Sequence, residues 1–179
     1  KRIHQSAKLL IEQIGNDKIL DPSCWPIELD QWIKLPGIGK STAGSILSSA
    51  FDLPEPILDG NAKRIFSRLI ASKKPTNKNI KIMWEMSHQL VPKKNARNFN
   101  QGLMDLGATI CKVRNPDCFL CPINNFCIAY SKYDPNNFPV KNMKKTIPIQ
   151  EIGIGLVFNK AGELLIDQRL ESSSMGGMW

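Results

Sequence analysis

The chain has 179 residues, of which 42% are hydrophobic and 22% charged, and its formal net charge is +8. This length supports one well-buried domain and part of a second, so the cysteines are not needed to hold a core together. The positive charge favours a polyanionic partner, with nucleic acid first, while the lack of an apolar run near roughly 18 residues argues against a membrane protein. We therefore expect an intracellular protein in which clustered cysteines are more often metal ligands than disulfides.

The first 130 residues are predicted to be helical, because apolar residues recur there at helical spacing and no segment alternates with period two. The stripes begin with Ile3, Ala7, Leu10, Ile11 and Ile14, and continue with Ala43, Ile46, Leu47, Ala50 and Phe51. Further stripes comprise Ile65, Phe66, Leu69 and Ile70; Ile80, Met83, Trp84, Leu90 and Val91; and Phe99, Leu103, Leu106 and Ile110. The predicted fold class is therefore mainly α.

After residue 130 the pattern changes twice. Residues 131–146, "SKYDPNNFPVKNMKKT", lose the periodicity and gain Pro, Asn and Lys, which predicts a linker. Residues 147–179 contain "IGIGLVFNKAGELLIDQR", two β-rich runs around a turn at Gly162, which predicts a β-hairpin. Since one hairpin cannot close a core, we expect the chain to stop inside a second domain.

The segment "LPGIGKSTA", Leu35 to Ala43, places Gly37 and Gly39 just before a predicted helix. Glycines at such a turn allow a tight bend and close approach of a ligand, and the amides at the helix start point toward an anion. The spacing is not that of a nucleotide P-loop. A phosphate site and an ordinary turn between two helices both remain open from the spacing alone.

The tripeptide Asp59-Gly60-Asn61 is open to two interpretations. A fixed carboxylate would stabilise the positive charge that builds on a sugar when a glycosidic bond breaks. The same tripeptide also suits a turn followed by a helix cap.

Four of the five cysteines are Cys111, Cys118, Cys121 and Cys127, with the spacing C-x6-C-x2-C-x5-C. This spacing has one C-x2-C pair where a zinc ribbon has two, so a 4Fe-4S cluster and a zinc site are both open, with the cluster favoured. Lys112 and Arg114 lie between the first two cysteines and are candidates for phosphate contacts, or for a solvated surface. Cys24 lies outside the set and is expected to be an inert thiol.

The segments "LPGIGKSTAGSIL" and "PILDGNAKRIFSRL" resemble the hairpin and active-site region of the helix-hairpin-helix DNA glycosylases. The resemblance implies that the amides of Gly37 and Gly39, with Lys40 and Ser41 beside them, bind a DNA phosphate. It implies that Asp59 is the catalytic carboxylate, and we expect Asn61 to support it by hydrogen bonding. The cysteine spacing is also that of the iron-sulfur members of this superfamily, which implies a 4Fe-4S cluster.

Position 41 separates the branches of the superfamily. Bifunctional relatives such as endonuclease III have a lysine there, which forms a Schiff base with the sugar. Ser41 cannot form an imine, and with "ILDGN" and "QGLMDLGATIC" it resembles the adenine DNA glycosylases of the MutY type. The tail resembles the start of their Nudix-like α/β C-terminal domain, without a Nudix catalytic box.

The resemblance implies a monofunctional, monomeric repair enzyme that hydrolyses the bond of adenine mispaired with 8-oxoguanine or guanine in duplex DNA. We expect it in the bacterial cytoplasm at the nucleoid, or in a nucleus or organelle. The family's general-acid glutamate has no counterpart before "KRIHQ", so we expect this stretch alone to be impaired. The alternatives are an endonuclease III-like lyase and a non-catalytic iron-sulfur protein that binds DNA.

Overall fold

The computed structural model describes residues 1–141, 149, 151, 153, 155–173 and 176–179. Contacts within the chain divide it into two compact units, Lys1–Met143 and Lys144–Trp179. The predicted division at residues 130 and 146 stays a prediction, and residues 142–146 of the predicted linker lie outside the described part. Across the described residues, we find no helix with the length and hydropathy that a bilayer crossing demands.

The described residues of the first unit form seven α-helices, which confirms the prediction of a mainly helical fold. They are α1 (Arg2–Ile14), α2 (Leu29–Ile33), α3 (Lys40–Phe51), α4 (Gly60–Leu69), α5 (Ile80–Leu90), α6 (Ala96–Asp105) and α7 (Ile128–Lys132). A π-helical turn, Leu106–Ile110, continues α6 up to Cys111. Short 3-10 turns lie at Pro22–Cys24, Thr76–Lys78, Cys118–Leu120, Asn124–Phe126 and Pro135–Asn137.

Two apolar clusters hold these helices together. One joins α1, α2 and α3 through Leu10, Trp32, Leu35, Ala43 and Leu47. The other surrounds α4 with Ile57, Leu58, Ala62, Ile65, Phe66, Met83 and Leu103. α4 contributes Ala62, Ile65 and Phe66 to this cluster from one face, where they pack against residues of α5 and α6.

The extended segment before α4 is held closely against its neighbours. A Cβ added at Gly44 of α3 would overlap the carbonyl oxygen of Pro56, so the backbones meet there without a side chain between them. The hydroxyl of Ser87 in α5 donates to the carbonyl of Ile57 at 2.6 Å. Because Asp59 follows directly, its backbone is placed by contacts from two different helices.

Residues 133–141 pack on the first unit instead of leaving it. Phe138 is buried and contacts Ala71 and Ala129. Its ring meets that of Tyr133 edge to face, with centroids 5.8 Å apart. The predicted linker therefore contains a buried aromatic residue, Phe138, which packs against the end of α7.

In the second unit, the described residues form a turn with one antiparallel bridge, Phe158 to Leu164. The amide of Leu165 donates to the carbonyl of Val157 at 2.9 Å, and Gly162 has a φ of +82° in the turn. Parts of the predicted hairpin, residues 147–148, 150, 152 and 154, lie outside the described residues. The Nudix-like domain stays a prediction.

Candidate functional site

The glycine hairpin lies between α2 and α3. Gly37 has a φ of +85°, a backbone conformation that favours glycine. A Cβ at this position would also lie 3.0 Å from the Cβ of Arg2, which leaves little room for a side chain. Gly39 is the N-cap of α3 and contributes no side-chain cap to the first helical amides. These amides are therefore available to an anion at the positive end of a 12-residue helix.

Lys40 and Ser41 direct their side chains to different neighbours. The ammonium group of Lys40 lies 4.5 Å from the ring centroid of Trp84 in α5. The Ser41 hydroxyl oxygen accepts a hydrogen bond from the backbone amide of Leu58 at 3.0 Å. Residue 41 thus reaches the segment that carries Asp59, while the predicted DNA contacts of both residues stay predictions.

Asp59 is the N-cap of α4. Its Oδ1 accepts a hydrogen bond from the amide of Ala62 at 2.7 Å. No donor among the described residues contacts its Oδ2. The cap and the predicted catalytic role are compatible, because the cap uses one carboxylate oxygen and the start of the helix stabilises negative charge on both.

Asn61 lies in the first turn of α4 and packs against the π-helical turn. Its Nδ2 donates to the carbonyl of Met104 at 3.4 Å, and its Oδ1 accepts from Nη2 of Arg64 at 2.9 Å. A Cβ added at Gly107 would lie 2.5 Å from the Cβ of Asn61. Since neither side-chain bond goes to Asp59, any support from Asn61 comes through the position of α4.

Two buried arginines on α4 connect it to the cysteine segment. Arg64 donates through Nε to the carbonyl of Cys111 at 2.7 Å and through Nη2 to that of Gly107 at 2.6 Å. Burial lowers the pKa of Arg64, and the neighbouring Cys111 opposes that shift. Arg64 thus joins the first turn of α4 to the start of the cysteine segment.

Arg68 is 1% exposed and lies one turn further along α4. Its acceptors are the carbonyls of Lys112 (2.7 Å), Val113 (3.2 Å), Pro135 (2.9 Å) and Phe138 (3.1 Å) and the sulfur of Cys111 (3.1 Å). A guanidinium presents five N–H donors in a fixed plane, which suits it to several acceptors from different segments. Sequence reasoning missed both arginines, although their four-residue spacing beside apolar positions places them on one face of a helix.

The four predicted cysteine ligands line one small cavity of about 30 Å³, together with Arg68 and Tyr130. Burial raises the pKa values of Cys118 and Cys121. The neighbouring Cys111 and Cys127 act in the same direction, and the backbone amide of Ile123 opposes the shift at Cys121. Four converging thiols suit a thiolate-bound metal centre by their chemistry. In the described part of the chain, however, no three His, Cys, Asp or Glu side chains are arranged closely enough to hold a metal ion. Cys24 lies elsewhere, 3.6 Å from Oδ2 of Asp21.

The loop between Cys111 and Cys118 carries the two predicted phosphate contacts. The ammonium group of Lys112 lies 2.7 Å from Oδ2 of Asp117, so it has a partner inside the loop. Arg114 is exposed. Arg68 binds the carbonyls of Lys112 and Val113, so the backbone is held at the start of the loop.

Comparisons with known proteins give relatives of one kind. No protein-family model matches the chain. Over 154 residues it is 39% identical to a protein named adenine DNA glycosylase from Buchnera aphidicola, a match that covers 83% of this chain and 41% of that protein. It is 37% identical over 133 residues to a thymine-DNA glycosylase from Aeropyrum pernix, covering 72% of this chain and 59% of the other. The chain thus spans less than half the length of the first of these relatives.

A solved structure agrees with these relatives. The structure of a thermostable thymine-DNA glycosylase superposes with a TM-score of 0.55 at 26% identity, covering 74% of this chain and 67% of the other. The agreement covers most of the chain in both the sequence and the fold.

Replacing Arg68 by Met should destabilise the first unit strongly. The substitution keeps much of the side-chain volume but leaves four carbonyls and one sulfur without their donor. We expect a loss of about 3–5 kcal/mol in the free energy of unfolding, measured by urea denaturation.

The matched control is Arg97→Met, because the exposed Arg97 side chain donates to a single acceptor, the carbonyl of Ala50. We expect it to cost below about 1 kcal/mol. Equal losses for the two variants would show that the buried hydrogen bonds of Arg68 contribute no more to the free energy of unfolding than the exposed one of Arg97.

Proposed function

We propose that this chain, a member of the helix-hairpin-helix DNA glycosylases, is the part of an adenine DNA glycosylase that carries the phosphate-binding hairpin and the catalytic aspartate. The observation that carries the proposal is the 39% identity to a protein of that name across the region holding both motifs. The placement of Asp59 at the start of α4, with one oxygen not used by the cap, supports it. The substrate would be duplex DNA in which adenine is mispaired with 8-oxoguanine or guanine.

The reaction is hydrolysis of the bond between adenine and C1′ of the deoxyribose. The adenine leaves the base stack, the glycosidic bond breaks, and positive charge develops on the sugar. Asp59 stabilises that cation through its carboxylate, while water adds to C1′ and the leaving base takes up a proton. We assign the proton donor for adenine to no residue of this chain.

The hairpin and α4 have complementary parts in this reaction. The amides of Gly37, Gly39 and the first turn of α3 would hold a backbone phosphate beside the flipped nucleotide. Because Ser41 accepts a hydrogen bond from Leu58, the hairpin helix and the residue before Asp59 are directly joined. Binding of the phosphate thereby places the sugar relative to the carboxylate.

Base release without strand cleavage follows from the residue at position 41. Ser41 has no amine, so it cannot form the imine that a lyase requires. Lys40 lies beside Trp84 on α5.

A thymine-DNA glycosylase is the second candidate, because the Aeropyrum pernix relative carries that name at 37% identity.

For the cysteines we propose a 4Fe-4S cluster bound by Cys111, Cys118, Cys121 and Cys127. The proposal is supported by four thiols that line one cavity and by their spacing in the sequence. When bound, the cluster would supply a cross-link between the end of α6, the loop with Lys112 and Arg114, and the start of α7.

We also propose that the protein acts as a monomer and works where genomic DNA is kept, in the bacterial cytoplasm or a nucleus or organelle.

Asp59→Asn tests the catalytic assignment in the full-length protein. Asparagine is also a good N-cap, so α4 should keep its start while the negative charge is lost. We expect adenine release from an A:8-oxoguanine duplex, measured under single-turnover conditions, to fall by about a hundredfold or more.

The control is Asp105→Asn, which removes an exposed carboxylate on α6 whose one side-chain partner among the described residues is Gln101. It should release adenine at the unaltered rate. If Asp59→Asn does so as well, Asp59 is not the catalytic carboxylate. Parallel duplexes with thymine mispaired with guanine distinguish the thymine-DNA glycosylase candidate.

Metal analysis tests the cluster. Full-length protein purified under nitrogen should contain about four iron and four acid-labile sulfide per chain, and Cys121→Ser should lose both. Cys24→Ser, at the cysteine outside the set, should retain them. Stoichiometric zinc without sulfide would rule the cluster out.

A further inference from the structure

The stretch between Asp59 and Glu85 has an unusual charge distribution. It holds seven basic residues and no acidic one, namely Lys63, Arg64, Arg68, Lys73, Lys74, Lys78 and Lys81. Arg64 and Arg68 are buried and bind carbonyl groups inside the unit. The last four lysines are exposed, and they lie in the loop after α4 and the first turn of α5. The stretch therefore presents uncompensated positive charge on one short surface segment.

The loop after α4 has a fixed backbone. Asn79 is 3% exposed, and its Nδ2 donates to the hydroxyl of Ser72 and to the carbonyl of Lys74, the latter at 3.1 Å. The amide of Ser72 donates to the carbonyl of Ser67 at 2.9 Å. Because these polar groups are buried and paired, the loop holds its lysines in defined positions.

This loop lies at the end of α4 opposite Asp59. Ten helical residues separate the two ends, which corresponds to about 15 Å along the axis. Arg68 binds the carbonyls of Lys112 and Val113 from the last turn, so the cysteine loop is at the same end. The ammonium group of Lys73 lies 5.8 Å from the ring centroid of Tyr133, which follows α7.

Three segments thus bring basic residues to one end of α4, and we call this set the basic rim. It comprises Lys73, Lys74, Lys78, Lys112, Arg114 and Lys132. Two acidic residues lie on the same segments. Asp117 pairs with Lys112 at 2.7 Å, and Asp134 accepts from the backbone and side-chain amides of Asn136. The rim keeps a positive excess after both are counted.

We propose that Lys73, Lys74 and Lys78, the lysines that the loop after α4 adds to the basic rim, bind backbone phosphates of the duplex that flanks the mispair. The proposal rests on the function proposed above. The end of α4 lies about 15 Å from Asp59, which equals the rise of about four to five base pairs of duplex at roughly 3.4 Å each. Lysines are depleted in protein–protein interfaces and are frequent phosphate contacts, so a nucleic acid fits this set better than an acidic protein.

The test variant is Lys74→Gln/Lys78→Gln in the full-length protein. Each lost phosphate contact should reduce the magnitude of the slope of log affinity against log salt by about 0.9 and lower the affinity at 0.15 M salt about fivefold. Fluorescence anisotropy with a duplex extending about 12 base pairs to either side of the mispair measures both. The charge-keeping variant Lys74→Arg/Lys78→Arg should bind like the unaltered protein.

Two controls isolate the rim. Lys8→Gln/Lys18→Gln removes the same charge from exposed positions in and after α1, and should leave the slope unchanged. A duplex that ends about three base pairs from the mispair on both sides is too short to reach the rim, and should bind the unaltered protein and Lys74→Gln/Lys78→Gln equally.

The proposal is overturned if the two double glutamine variants behave alike, or if the loss persists on the short duplex. Adenine release by the unaltered protein is followed on the same long duplex. If adenine is not released but Lys74→Gln/Lys78→Gln still binds the long duplex more weakly, the result counts against the proposed function alone. If adenine is released and Lys74→Gln/Lys78→Gln binds the long duplex as the unaltered protein does, the result counts against the role of the rim alone.

Discussion

The burial of two guanidinium groups on α4 is the constraint on which the rest of the helical unit depends. A buried cation is costly unless its donors are paired. Arg64 and Arg68 meet this condition with the side-chain amide of Asn61 in the same helix and with carbonyl and thiol acceptors far along the chain. These hydrogen bonds join the cysteine segment and residues 135–138 to α4. One short helix therefore sets the position of Asp59 at its start and of the cysteine segment and basic rim at its end.

This arrangement separates the proposed catalytic residue from the cysteine segment along the axis of α4. Ser41, in the helix that follows the hairpin, bonds Leu58 just before the first turn of α4, where the backbone amides favour an anion. The cysteines surround the last turn, next to Arg68. The Arg64 contacts with Asn61, Gly107 and Cys111 run between the two ends, so a disturbance of the cysteine segment would reach the helix that carries Asp59.

Much of the fold could be predicted from the sequence, because helical periodicity and the punctuation by Gly, Pro and Asp are local signals. The signals for five of the helices, for the turn at Gly37 and for the N-cap at Asp59 lie in neighbouring residues. The inward-facing arginines could not be predicted in the same way, since their acceptors lie some 40 to 70 positions further along the chain. The π-helical turn and the burial of Phe138 depend on the same long-range contacts.

The candidate site was predictable to a similar degree. Motif spacing brought out Asp59 and the four cysteines, but whether Asn61 bonds Asp59 or the π-helical turn is decided by how α6 packs. The hydrogen bond from Leu58 to Ser41 likewise requires α3 and the segment before α4 to be adjacent. Spacing identifies which residues carry chemistry, whereas packing decides which of them touch.

The most direct measurement follows both products of one reaction: full-length protein is incubated with an A:8-oxoguanine duplex, with and without borohydride. The proposed mechanism yields free adenine, an abasic strand that stays intact, and no covalent protein–DNA adduct. A trapped adduct or a cleaved strand would contradict the role given to Ser41, and the absence of adenine release would contradict the proposed function.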